Sequence, residues 1–172
     1  PSDGTLTDTS TDAPTDVPTD VPTPAPIYAA MYKADPDFDP EEFLAGASSA
    51  FEMAVDAFAR GDKKTLQPLL NKDVYSRFAG AIDARAKAEE VLETTIIRIA
   101  DATIKDVVLK GGVGQITVAF VSEQIKVTWN KAGDILEGDP NHVRSVTDLW
   151  TFQRDLRSAN PNWVLTATHG SA

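Results

Sequence analysis

The chain has 172 residues, 42% of them hydrophobic and 24% charged, with a formal net charge of -10. That length holds one ordinary domain and a tail, and the acidic balance excludes nucleic acid as a partner, since binding it demands a basic surface or stripe. With no cysteine and only His142 and His169 as histidines, disulfides, thiolate catalysis and histidine-rich metal sites are excluded as well.

Pro1 to Pro26 is low in complexity and reads T-D-A-P-T-D-V-P-T-D-V-P-T-P-A-P in its second half. Leu6, Val17 and Val21 are its only large apolar residues, too few to offset the entropy of ordering. Recurrent proline favours an extended chain. Residues 1–26 are therefore expected to be a disordered Thr/Asp/Pro-rich linker. This stretch holds five of the 26 acidic residues and none of the 16 basic ones, so half of the net charge belongs to it. No apolar run is long enough to span a bilayer, and no signal peptide is present. The chain opens on Pro1 in place of Met, which is read as a start that has been removed.

Residues 27–38 form a connecting segment, with the apolar patch I-Y-A-A-M-Y (Ile27 to Tyr32) suited to a helical turn. The domain proper is expected over 39–170. Asp39 is a good N-cap, Pro40 suits the first helical position, and Glu41 and Glu42 favour the positive helix end. Phe43, Ala47, Ala50, Phe51, Ala54 and Phe58 make an apolar stripe at helical spacing, and Gly61 closes the helix. Asp62 caps a short second helix, Lys63 to Leu70. Asp73 caps a third, Val74 to about Glu90, with Val74, Phe78, Ala81, Ile82 and Arg85 inward. Arg60, Lys63, Lys64, Lys72 and Arg77 give this corner a basic excess suited to phosphate headgroups at a membrane surface, although a solvated face is the plainer reading.

From Leu92 the period changes to two. Glu93 to Ile99 and Ile104 to Lys110 read as two strands. Gly111, Gly112 and Gly114 mark a turn with positive φ. Gln115 to Trp129 is a long strand whose apolar set moves from Ile116, Val118 and Phe120 to Ile125, Val127 and Trp129. That change of parity predicts a bulge or bend near Val121 to Glu123. Asn130 to Asp134 is a turn and Gly138 to Asn141 a loop. Val143 to Leu156 alternates cleanly, with Val146, Trp150 and Phe152 on one face. Asp148 shares that apolar face and needs a partner or an opening to water. Arg85, Arg98 and the open end of the sheet are its candidate answers. Asn162 to Thr168 ends the sheet. Three helices followed by four to five antiparallel strands predict an α+β fold with helices over one face of a curved sheet.

Several segments together resemble the bacterial members of the inner-membrane translocase subunit 44-like family. They are Phe43 to Asp62 (F-L-A-G-A-S-S-A-F-E-M-A-V-D-A-F-A-R-G-D), Leu66 to Leu70, L-E-T-T at Leu92 to Thr95, Val118 to Glu123, V-T-D-L-W-T-F-Q-R-D-L at Val146 to Leu156, and P-N-W-V-L at Pro161 to Leu165. The resemblance covers about Asp39 to Thr168. It implies a nuclear-transport-factor-2-like cone with a large apolar cavity. It also implies a membrane-associated, non-catalytic scaffold or accessory subunit of an inner-membrane complex, with that complex and anionic phospholipid as partners. By the same resemblance the protein sits on the cytoplasmic face of a bacterial inner membrane through an N-terminal anchor outside this chain, and 1–26 corresponds to the linker. The mitochondrial relative's long charged N-terminal half and strongly basic surface have no counterpart here, so import-motor function does not carry over.

Two other readings stay open. A bent sheet bearing Phe120, Trp129, Trp150, Phe152 and Trp163 suits a lipid or small apolar ligand, although aromatics more often simply fill a core. A cavity enzyme would use Asp148 as base, with His142 or Tyr75 beside it, because an apolar wall raises a carboxylate pKa. No phosphate loop, dinucleotide turn or metal-ligand spacing occurs, so no cofactor is expected.

Overall fold

Asp39 starts the helical layer in the computed structural model, which describes residues 26–170. Its carboxylate accepts from the backbone N–H of Glu41 and Glu42, and helix α2 (Pro40–Arg60) follows. Gly61 closes α2 at φ 72°, the left-handed conformation that suits glycine. Phe43, Ala47, Phe51, Ala54 and Ala57 form its buried stripe. A 3-10 turn at Pro26–Tyr28 and helix α1 (Ala29–Ala34) precede it and bury Met31. Asp62 caps the short α3 (Lys63–Leu66), which runs into a 3-10 turn at Gln67–Leu69.

Helix α4 (Lys72–Lys87) begins earlier than expected. Asn71, not Asp73, is its cap and accepts from the Val74 N–H. Two backbone ties fix this start. Leu70 bridges Leu165 in parallel, and the Asn71 N–H donates to the Leu165 carbonyl at 2.9 Å. Those ties hold 70–71 extended, so residue 72 is the first free to coil. The helix stops short of Glu90 because Glu89 adopts φ 58° and the Glu90 N–H turns back to the Arg85 carbonyl. Ala81, expected inward, is exposed.

Five antiparallel strands follow: β1 (Val91–Lys110), β2 (Val113–Trp129), β3 (Ile135–Gly138), β4 (Arg144–Asp155) and β5 (Val164–Gly170). The order is β1-β2-β4-β5, with β3 paired to the end of β2 beyond β4. The fold is the α+β arrangement of helices on a curved antiparallel sheet. Two expectations are corrected. The segments 93–99 and 104–110 are one strand, and the bulge expected near Val121 to Glu123 lies not in β2, which pairs with β4 without a shift from Val113↔Asp155 to Gln124↔Arg144, but opposite those residues in β1. The irregularities lie in β1, where Ile97, Ala100 and Lys105 are each an extra residue opposite β2. The core-facing positions of β1 therefore run 92, 94, 96, 99, 102, 104, 107, and three steps of three replace steps of two. Each bulge sharpens the local twist and curls the sheet. The parity of β2 never changes, because Ser122 and Gln124 stay on the core face, buried and hydrogen-bonded to each other at 2.8 Å.

Gly111 and Gly112 make the β1–β2 turn at φ 56° and 82°, whereas Gly114 already belongs to β2. Its requirement is space: a β-carbon there would lie 2.9 Å from Met31 Cε. Strand β3 was not anticipated over 135–137, since only the flanking turn and loop carry a local signal.

An aromatic plug fills the middle of the core. Phe51 from α2 stacks on Phe120 with centroids 4.5 Å apart and meets Trp150 at 4.7 Å. Toward the other end of β4, Phe43 packs edge-on to Phe152 at 6.0 Å and to Trp163 at 5.0 Å.

Candidate functional site

The paired inner faces of β2 and β4 change character along their length. Facing pairs run Ile116/Phe152, Val118/Trp150, Phe120/Asp148, Ser122/Val146 and Gln124/Arg144. Apolar pairs give way to polar ones at Phe120/Asp148. At about 3.4 Å per residue, the polar stretch is roughly 14 Å long. A cavity of about 480 Å³ opens over it. Phe58, Phe78 and Trp150 form its inner wall, and Lys126, Glu137, Arg144 and Asp148 stand among its lining residues.

Asp148 is half-buried here. Burial pushes its carboxyl above the ordinary range, and the nearby Lys126 ammonium draws it partly back. Gly170, its cross-strand neighbour, leaves room for the carboxylate: a β-carbon there would sit 3.1 Å from Asp148 Oδ1. Neither Arg85 nor Arg98 is its counter-ion. The Arg85 guanidinium donates to the Phe58 and Ala59 carbonyls at 2.6 and 3.1 Å, satisfying the end of α2, and lies 5.0 Å over the Phe58 ring. Arg98 pairs with its cross-strand partner Glu123 at 3.0 Å on the outer face. His142 and Tyr75 line no part of this cavity.

A desolvated carboxylate with a raised pKa opposes folding once ionised. The folded state binds the proton more tightly, so this contribution to stability is complete below the unfolded titration and lost as pH rises through the folded one. Asp148→Asn is therefore expected to raise the melting temperature at neutral pH, and the gain should vanish at pH values where both forms of the carboxyl are protonated. Thermal unfolding of both proteins across pH checks this; a loss at neutral pH would mean that Lys126 outweighs burial.

A second depression of about 580 Å³ lies beyond the plug, at the other end of β4. Phe43, Phe152 and Trp163 line it, with Met53 half exposed at 49%. Asp35, Asp37, Asp39 and Glu42 rim it, opposed by Arg154. Among the described residues these two depressions are separated by packed rings and do not merge into one large apolar cavity. Trp150 and Asp148 fall in the first, Phe152 and Trp163 in the second, and Phe120 is buried in the plug between them. Trp129 lines neither, and its indole Nε1 is buried with no acceptor among the described residues. What the sequence reading missed was the mixed charge at the first mouth. Glu137 comes from the unforeseen β3, and Lys126 sits on the polar half of β2, where the parity argument turned it the wrong way.

The basic corner is partly neutralised. Arg60 pairs with Asp56 at 2.9 Å and with Asp62 at 3.5 Å, and Lys63 pairs with Asp83. Lys64, Lys72 and Arg77 remain exposed. Among the described residues no helix is long and apolar enough to cross a membrane, and no group of three or more His, Cys, Asp or Glu is placed to hold a metal.

These features define a small α+β domain: a helix-covered, curled antiparallel sheet with a filled centre and an open depression at each end. The Tim44-like domain model matches residues 25–170, and the chain belongs to that family. It is 27% identical over 141 residues to the "Probable mitochondrial import inner membrane translocase subunit tin-44" of Caenorhabditis elegans, covering 78% of this chain and 33% of the relative. It is 25% identical over 130 residues to the mitochondrial import inner membrane translocase subunit TIM44 of Mus musculus, covering 74% and 28%. The chain thus spans about a third or less of the length of these curated relatives. Two solved structures share the fold. The intermembrane space region of chloroplast protein ARC6 aligns with TM-score 0.53 at 13% identity over 78% of this chain and 98% of that one. A periplasmic fragment of TraM aligns with TM-score 0.52 at 16% identity, over 77% and 97%.

Proposed function

We propose that this domain is a membrane-associated, non-catalytic scaffold or accessory part of an inner-membrane protein complex. The observation that carries the reading is the family match. It spans the whole described domain, and the relatives it joins are named as inner-membrane translocase subunits. The filled core agrees with it. Phe51, Phe120 and Trp150 pack together at its centre, which leaves the surface and the depressions at its ends for contact. In this reading residues 1–26, of which 1–25 lie outside the described residues, serve as a tether, and the domain stands at the cytoplasmic face of a bacterial inner membrane. Contact with anionic phospholipid through Lys64, Lys72 and Arg77 is secondary, because the adjoining Arg60 and Lys63 already face carboxylates.

Mild-detergent capture of the full-length protein from its native membranes, followed by mass spectrometry, tests this. Reproducible, stoichiometric recovery with one large inner-membrane assembly is the expected result. Recovery of the protein alone overturns the scaffold reading.

A further inference from the structure

The first cavity has the makings of a ligand site independent of any partner protein. Its four charged groups are two cations, Lys126 and Arg144, and two anions, Glu137 and Asp148. Lys126, Glu137 and Arg144 are exposed at the mouth and Asp148 is half-buried. Here none of the four forms a salt bridge among the described residues. A second observation lies in the cavity wall. Gln124 is 5% exposed, lines the cavity and meets Ser122 with one end of its amide. A hydroxyl can donate or accept, so whichever way the amide is turned, one end is occupied by Ser122 and the other has no protein partner among the described residues. The side chain is buried, yet the free end of its amide keeps contact with solvent in the cavity, where a polar ligand group can take the place of water. Phe58, Phe78 and Trp150 supply an apolar wall directly behind these polar groups. The volume falls within the roughly 300–1,000 Å³ of small-molecule sites.

We propose that this cavity binds a zwitterionic amphiphile with a single apolar chain. The chain lies against Phe58, Phe78 and Trp150, the anionic group faces Lys126 and Arg144, and the cationic group faces Asp148 and Glu137. Charge arithmetic selects this class. A purely anionic head meets two attractive and two repulsive groups, and so does a purely cationic one. A neutral head leaves the half-buried Asp148 carboxylate unpaired, which is costly in a partly desolvated site. Only a head carrying both signs matches all four.

The test compares three probes with the same tail, each below its micelle-forming concentration, titrated calorimetrically into the 172-residue chain: dodecylphosphocholine, dodecanoate and dodecyltrimethylammonium. One dodecylphosphocholine per chain is expected, at least about tenfold tighter than either singly charged probe. Amide shifts should concentrate at Thr94, Lys126 and Thr168 and spare the groove of Phe43 and Trp163. Lys126→Gln and Arg144→Gln should each weaken the zwitterion, and Asp148→Asn should move the preference toward dodecanoate; circular dichroism verifies that each variant folds. Equal affinity for all three probes, tightest binding of dodecanoate, or shifts confined to the other groove would overturn the proposal. Each outcome is read on the purified chain, so it bears on the ligand whether or not a membrane complex is recovered.

Discussion

Phe51→Ala is expected to lower the free energy of unfolding by about 3–5 kcal/mol, the usual cost of truncating a buried phenylalanine. Phe51 has no exposed surface and touches both ring systems of the plug, Phe120 at 4.5 Å and Trp150 at 4.7 Å. The neighbouring helix turns bury only Ala47 and Ala54, so no flexible side chain stands ready to fill the space. A domain of ordinary stability, about 5–15 kcal/mol, would lose at least about a fifth of its margin. Urea unfolding measures the loss. Phe51→Leu provides a second point if the alanine variant does not fold, with a smaller loss expected because part of the volume is kept. A change under about 1 kcal/mol for Phe51→Ala, well below the range for buried rings, would show that the plug does not hold the helical and sheet layers together.

Gly138→Ala is expected to detach β3. Gly138 adopts φ 88°, where an L residue costs about 1–3 kcal/mol in strain. A β-carbon there would also lie 2.0 Å from the Lys126 carbonyl oxygen, a backbone atom that cannot turn aside. The β3 ladder consists of Val127↔Gly138, Thr128↔Glu137 and Trp129↔Ile135. So short a pairing cannot absorb the displacement. Hydrogen exchange should rise at the amides of 135–138 and at those of 127–129 that face β3 and not β1, while β4 and β5, which pair elsewhere, keep their protection. Unchanged exchange in β3 would refute the prediction. Because Glu137 reaches the first cavity from β3, the same variant should weaken dodecylphosphocholine binding.

The helical layer was legible because its signals are local. Asp39, Gly61 and the stripe from Phe43 to Phe58 each carry their meaning within a few residues. The start of α4 was not, since the residues that decide it, Leu70 and Asn71, answer to Leu165, nearly a hundred positions along the chain. In the sheet, the alternation of β4 could be read directly, but two opposite errors arose in β1 and β2. Extra residues at Ile97, Ala100 and Lys105 broke the period of one continuous strand, while the buried Ser122–Gln124 pair imitated a change of register where none exists. Polar residues that satisfy each other can occupy a core face, and hydropathy alone does not reveal the bond between them. The same limit hid the first cavity: Asp148 stood out as an acid on an apolar face, but its setting depends on Lys126, Glu137 and Arg144, which arrive from three different strands.

The bulges of β1 have a further consequence at the margin of the sheet. β1 ends the strand order, so one side of a 20-residue strand is left without a partner. Val91 and Ile97 are half exposed along it, at 54% and 50%. A straight strand of that length would be a template on which other chains could polymerise. Three interruptions break it into short pieces that no regular ladder can follow, and charged Arg98, Asp101, Lys105 and Asp106 sit at or beside them. The irregularity that curls the sheet around its core also guards its open edge against pairing with other chains.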